Sequence, residues 1–231
     1  MRKTIILALF LFVVALSARG QERFVAFTFD DGPNQKFLSE ALPYFKTEGI
    51  KVTFFVIGSQ AADHPESLVR ESGDGHEIEN HTYGHVCLVK PNLKWNLCPD
   101  ISIESAALQI EKANKVIFRI TGYRPHFVRP PFFAMTLDRK NVLEKETGMI
   151  ILQHGGDSIG SLDWVYNSVA PVVSQVESAV AKRGFKPCII VFHERLNTLR
   201  ALPEIVRFLR NNGYVFVRLD EFWGMKERGT K

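Results

Sequence analysis

Two carboxylates stand side by side in Thr28-Phe29-Asp30-Asp31-Gly32-Pro33, and two imidazoles stand four residues apart in Glu79-Asn80-His81-Thr82-Tyr83-Gly84-His85. Side chains at i and i+4 share one face of a helical turn, so His81 and His85 can grip the same cation, and a borderline ion such as Zn²⁺ suits a nitrogen pair. Two nitrogens do not complete a site. Asp31 is the best carboxylate for the third position, and three protein ligands leave a place open for water, as a hydrolytic metal requires. Neighbouring carboxylates repel, and burying both is costly unless a cation neutralises one. Taken singly, a histidine pair of this spacing is ordinarily just solvated, and Asp-Asp-Gly-Pro is ordinary turn chemistry. Gly32-Pro33 is expected to turn the chain so that both carboxylates enter one mouth despite the strand alternation.

Repeated β-α units must position these groups. Apolar β-rich runs are predicted at Phe24 to Phe29, Val52 to Ile57, His76 to Ile78, Phe127 to Val128, Met149 to Leu152, Ile189 to Phe192 and Val215 to Val217. Apolar residues at helical spacing fill Leu38 to Phe45, Glu66 to Arg70, Ile103 to Ile120, Leu137 to Lys145, Val172 to Val180 and Leu199 to Leu209. Gly49, Gly73, Gly148, Gly184 and Gly213 follow helices where left-handed C-caps are expected. About seven such units fit a closed parallel barrel. An open doubly wound sheet competes, but the first turn lacks a Gly-rich phosphate fingerprint. On either frame the polar residues cluster at carboxyl ends of strands: Asp30 and Asp31, His81 and His85, Arg129, Asp157 and Asp163, and His193. Those ends converge on one face of a β/α barrel, the face that carries chemistry.

The ordered segments TFDDGP (Thr28 to Pro33), HTYGH (His81 to His85), RPPF (Arg129 to Phe132), DW (Asp163-Trp164) and VFH (Val191 to His193) resemble the five motifs of the polysaccharide deacetylase family, the NodB homology domain or carbohydrate esterase family 4. The resemblance runs from about Phe24 to Phe222, and its first two motifs are the most specific. It implies a distorted (β/α)7 barrel that removes acetyl groups from N-acetylated sugars with a divalent ion, Zn²⁺ or another transition metal such as Co²⁺. By position it implies Asp30 as catalytic base, Asp31, His81 and His85 as metal ligands, and Arg129 as the partner that holds the base. It further implies the Phe132 N–H as oxyanion donor, His193 as general acid, and Asp163 as the carboxylate that orients it; Pro131 and Trp164 fall in the substrate-facing motifs. Phe132 stands where the family has Tyr, Phe133 where it has Gly, and Val191 where it usually has Leu. Gly160 replaces a frequent acid, which leaves Asp157 without a role.

The residue types fit amide hydrolysis on their own terms, since that reaction must activate water, stabilise an oxyanion and protonate a poor leaving group. The expected substrate is an N-acetylglucosamine-type residue, with peptidoglycan the first polymer an exported protein meets. Chitin oligosaccharides are the runner-up. An O-acetyl esterase acting on xylan would share the metal site, and an inactive carbohydrate-binding module should lack motif residues that are all present.

The 231 residues, 45% hydrophobic and 23% charged, suffice for one domain and exclude disorder and coiled coil. Arg2 and Lys3 precede an apolar run from Ile5 to Leu16 and the small residues Ser17, Ala18 and Gly20, the layout of a signal peptide over 1–20, with the catalytic domain at 21–231. Twelve apolar residues are too few to span a bilayer. A secreted or periplasmic chain without a lasting membrane anchor is therefore expected, working as a monomer. The formal charge is +4, but three of the cations lie in that leader, so no basic surface argues for nucleic acid. Cys87 and Cys98 bracket a ten-residue segment and can close it as a disulfide, or all three cysteines stay unpaired, with Cys188 a small buried hydrophobe. The insert from Val86 to Asp100, with Trp95 and with Tyr83 before it, reads either as a sugar-stacking wall or as an apolar lid.

Overall fold

A computed structural model describes residues 22–89, 101–153 and 155–229. Alternation along the first strand sets the architecture. In β1 (Arg23–Gly32), Val25, Phe27 and Phe29 point to one face and pack under the helices, while Ala26, Thr28 and Asp30 take the other. Phe29 stacks on Phe192 with ring centroids 5.4 Å apart and is fully buried, so the outer layer of aromatic packing ends one residue before the acids begin.

Helices α1 (Gln35–Glu48), α2 (Gly58–Asp63), α3 (Pro65–Gly73), α4 (Ile103–Thr121), α5 (Leu137–Thr147), α6 (Val169–Lys182), α7 (Leu196–Asn211) and α8 (Leu219–Gly229) alternate with the strands. These strands are β2 (Thr53–Val56), β3 (Glu77–Asn80), β4 (Phe127–Val128), β5 (Ile150–Ile151), β6 (Ser158–Gly160), β7 (Cys188–His193) and β8 (Tyr214–Val217). All pairings are parallel, in the order β5-β4-β3-β2-β1-β7-β6, a seven-strand path curled into a half-barrel. The expected distorted seven-unit barrel is found, with β5 and β6 as the two ends of the path. An eighth strand, β8, pairs with Arg23 to Ala26 of β1, below the stretch from Thr28 to Gly32 that pairs with β2.

Several elements depart from the sequence expectation for identifiable reasons. The third strand is Glu77–Asn80, not His76 to Ile78, and both of its glutamates are buried. Glu77 accepts hydrogen bonds from Thr53 Oγ1 (2.6 Å) and the Leu219 N–H (3.0 Å); Glu79 accepts from Tyr123 Oη (2.9 Å) and the Phe127 N–H (2.7 Å). Their partners come from distant segments, which local pattern cannot reveal. Strand β6, α2 and α8 have no counterpart among the elements expected from the sequence. The left-handed position expected at Gly73 falls at Gly75 (φ 82), whereas Gly49 and Gly148 take it as expected (φ 64 and 69).

The interior of the half-barrel is apolar at its base, where Ala26, Phe55, Ile189, Val217 and Phe222 meet, and α8 seals that end. Polar residues occupy the other end. No helix among the described residues is long and apolar enough to cross a membrane. Residues 1–20, Trp95 and Cys98 lie outside the described residues; Cys87 is disulfide-bonded and Cys188 is free and buried.

Candidate active site

Asp30 and Asp31 reach the same mouth by backbone distortion and not by the Gly32-Pro33 turn alone. Asp31 itself is left-handed (φ 70), and the β1–β2 register slips between Asp30 and Gly32. A non-glycine residue there costs on the order of 1–3 kcal/mol, which the surrounding contacts must sustain. The effect is to cancel the alternation that would send the two carboxylates to opposite faces.

Asp31 Oδ1 lies 3.3 Å from His81 Nε2 and 3.1 Å from His85 Nε2. Metal-to-donor bonds of about 2.0–2.1 Å in a tetrahedron place donors about 3.3 Å apart, so both imidazole nitrogens stand from the Asp31 oxygen at the spacing of one coordination shell. This is the potential metal triad among the described residues. His81 and His85 do not share a helical turn, as the i, i+4 argument assumed. They sit in a loop where Thr82 (φ 65) and His85 (φ 52) are left-handed, held by the Thr82 N–H donating to Asn80 Oδ1 and the Gly84 N–H to Gln109 Oε1. His81 Nδ1 faces the Arg129 carbonyl at 2.8 Å and must donate to it, which fixes the ring with Nε2 toward Asp31. Burial would raise the Asp31 pKa, but the two imidazoles outweigh it and hold the carboxyl far below its ordinary range.

Asp30 is buried, and its Oδ1 accepts from Arg129 Nη1 at 2.5 Å. Arg129 is fully buried, its guanidinium over the Phe55 ring at 4.0 Å, so this carboxylate meets a cation of fixed position. Burial lowers the Arg129 pKa and Asp30 partly restores it. Across the mouth, His193 is the register partner of Asp30 on β7. Its Nδ1 meets Asp163 Oδ1 at 2.7 Å, and its own N–H donates to Asp163 Oδ2, also at 2.7 Å. Asp163 is fully buried and accepts a further 2.5 Å bond from Thr198 Oγ1. Burial disfavours the imidazolium, but the Asp163 hydrogen bond and the charges of Asp30, Asp163 and Asp31 prevail, so the His193 pKa is raised. Burial likewise opposes ionisation of Asp163, yet its hydrogen bonds from His193 and Thr198 pull its pKa down.

Pro131 is buried at the start of a short 3₁₀ turn, and Phe132 and Phe133 are both left-handed (φ 59 and 52). That turn uses the Phe133 and Ala134 N–H groups, leaving the Phe132 N–H outside its hydrogen bonds. The Phe132 ring stands edge-on to His85 with centroids 5.1 Å apart and is 60% exposed; Trp164 is 55% exposed. The Phe132 ring thus borders the polar mouth beside His85, and Trp164, next in the chain to Asp163, is a second exposed ring. Tyr83 does not join them as a bare wall, because the Lys112 ammonium lies 3.7 Å from its ring centre. Asp157 is not at the mouth either: it precedes β6 and pairs with Arg183 and Lys226.

Sequence reasoning missed Thr198 and Glu194. Glu194 lines a cleft of about 430 Å³ together with Asp31, Asn34 and His193. Its pKa is pushed up to about 8 by burial and by Asp31 and Asp30, against the Asn34 N–H that it accepts. Its position directly after His193 was the available signal.

A polysaccharide deacetylase family model matches residues 17–149. A peptidoglycan-N-acetylglucosamine deacetylase of Bacillus cereus is 31% identical over 210 residues, covering 88% of this chain and 70% of that protein. The peptidoglycan-N-acetylglucosamine deacetylase PgdA of Listeria monocytogenes (strain EGD-e) is 34% identical over 203 residues, and the chain spans 39% of its length. Among solved structures, peptidoglycan deacetylase PdaC from Bacillus subtilis superposes with a TM-score of 0.75 at 26% identity, covering 91% of this chain and 94% of that one.

Proposed function

The chain belongs to the polysaccharide deacetylase family, and from that premise we propose that it is an exported, metal-dependent hydrolase of N-acetyl groups on amino sugars, with peptidoglycan as its polymer. The observation that carries this reading is the Asp31, His81 and His85 triad, in which both imidazole nitrogens lie within 3.3 Å of one Asp31 oxygen, flanked by one carboxylate fixed on Arg129 and one imidazole fixed on Asp163. The N-terminal leader pattern supports export, and relatives at least 30% identical to this chain over the matched residues, which are named for peptidoglycan, support that polymer over xylan.

Two imidazoles and a carboxylate suit Zn²⁺ or Co²⁺. Such an ion, when bound, polarises the amide carbonyl and lowers the pKa of water. Asp30 takes a proton from the water as its oxygen adds to the carbonyl carbon, and Arg129 keeps the receiving carboxylate in place. The Phe132 N–H donates to the oxygen on which negative charge develops. His193, kept protonated by Asp163, delivers its Nε2 proton to the nitrogen as the C–N bond breaks, so acetate and a free amine leave. The exposed rings of Phe132 and Trp164 offer stacking faces for a sugar.

The test offers the purified chain, with Zn²⁺ or Co²⁺, to peptidoglycan, chitin oligomers and acetylxylan in parallel and measures acetate. Release from peptidoglycan above the other two is expected. Acetate from acetylxylan alone would make the protein an O-acetyl esterase, and none from any substrate would remove the hydrolase reading.

A further inference from the structure

Something must hold Asp31 in its left-handed conformation, and three contacts reach its segment from one residue of the neighbouring strand end. The Glu194 N–H donates to the Asp30 carbonyl at 3.2 Å. Glu194 Oε2 accepts the Asn34 N–H at 2.6 Å, and the Glu194 carbonyl accepts from Asn34 Nδ2 at 3.3 Å. Asn34 in turn caps α1 by accepting the Phe37 N–H at 3.1 Å. The other carboxyl oxygen, Oε1, sits over Gly32: a Cβ placed there would lie 1.8 Å from it. A side chain between Asp31 and Pro33 would therefore have to displace the Glu194 carboxyl, which occupies that space. Both ends of the Asp30-to-Asn34 segment are tied to the residue that follows His193, and Glu194 is 96% buried, so the tie is shielded from water.

We propose that Glu194 is a positioning residue that sets the Asp31 oxygen against His81 and His85, and thereby the affinity of the triad for a divalent ion. The inference rests on reading that triad as a metal site. Glu194 supplies no donor atom to it; it acts through the segment that carries Asp31.

Zn²⁺ affinity of the full chain, measured by competition with a chromophoric chelator, tests this on the wild type and on Glu194→Ala, Glu194→Gln, Gly32→Ala and His85→Ala. Glu194→Ala is expected to bind about 10–100-fold more weakly, the usual loss when a residue supporting a ligand is removed. Glu194→Gln keeps an acceptor for the Asn34 N–H and should restore affinity near the wild-type value. Gly32→Ala should weaken binding by displacing the carboxyl, and adding it to Glu194→Ala should cost little more, a non-additivity that a general loss of stability would not produce. Should Glu194→Ala fail to fold, the Gly32→Ala and Glu194→Gln pair decides. Wild-type affinity in Glu194→Ala or Gly32→Ala overturns the proposal while weak binding by His85→Ala leaves the metal site standing. A wild type that binds no Zn²⁺ overturns both.

Discussion

His193 carries hydrogen bonds that favour a charged imidazole: a buried carboxylate on Nδ1, itself held by Thr198 and by the His193 N–H. Because the His193 pKa is raised, the acid required for amine departure persists to higher pH than a free histidine allows, and rate falls only as pH rises through that raised value. Asp163→Asn removes the charge that supports it. The alkaline limb of kcat is expected to move to lower pH, with a loss of about 10²–10⁴ in rate near neutrality, read from a pH-rate profile. An unmoved limb would place the general acid elsewhere. The types and order of these residues were legible in the sequence, because carboxylates, imidazoles and an arginine gathered at strand ends have few structural uses. What was not legible was how neighbouring acids share a mouth, since that depends on Asp31 adopting φ 70, and a loop at Thr82 to His85 doing what a helical turn was expected to do.

Strand β1 connects core to chemistry, with Phe29 buried against Phe37, Phe45, Phe54 and Phe192 and Asp30 next in the chain. Phe29→Ala is expected to destabilise the fold by about 3–5 kcal/mol in chemical denaturation, because a large buried ring leaves a cavity that four aromatic neighbours cannot close. A loss below about 1 kcal/mol would mean that the outer layer repacks freely. Long, strongly patterned elements such as β1, α4 and α7 were readable from alternation or helical spacing, although their ends moved by a few residues. Shorter ones were not. Three-residue β6 gains its strand identity from pairing with Ile189 to Val191 of β7, and β3 holds two buried glutamates because Thr53 and backbone N–H groups donate to Glu77 Oε2 and Tyr123 and backbone N–H groups donate to Glu79. Such tertiary partners leave no trace in a local window.

Across the whole molecule, buried carboxyls with raised pKa oppose the acids of the site. Glu194 moves from an ordinary 4.5 to about 8, and Glu71, Glu77 and Glu79 are also raised, each chiefly by burial. A carboxyl whose folded pKa is raised gives stability that is complete below the unfolded value and is lost as pH climbs through the folded one. On the acid side, burial lowers the His76 pKa from 6.5 to about 4, so its contribution is lost as pH falls through that value, and those of Asp31 and Asp163 are lost only as pH falls through their own lowered values. The chelator-treated protein is therefore expected to melt at lower temperature near about pH 9 than near about pH 6, followed by circular dichroism. A flat or rising melting temperature over that range would mean these glutamates are ionised in the fold. The most direct test of the metal and base assignments titrates cobalt(II) into the wild type and Asp30→Asn, follows visible absorption, and measures acetate from peptidoglycan on the same samples. An amide at position 30 still accepts from Arg129, so both proteins should take up one ion per chain while only the wild type releases acetate. Loss of the ion in Asp30→Asn, or acetate release by that variant at the wild-type rate, would contradict the account.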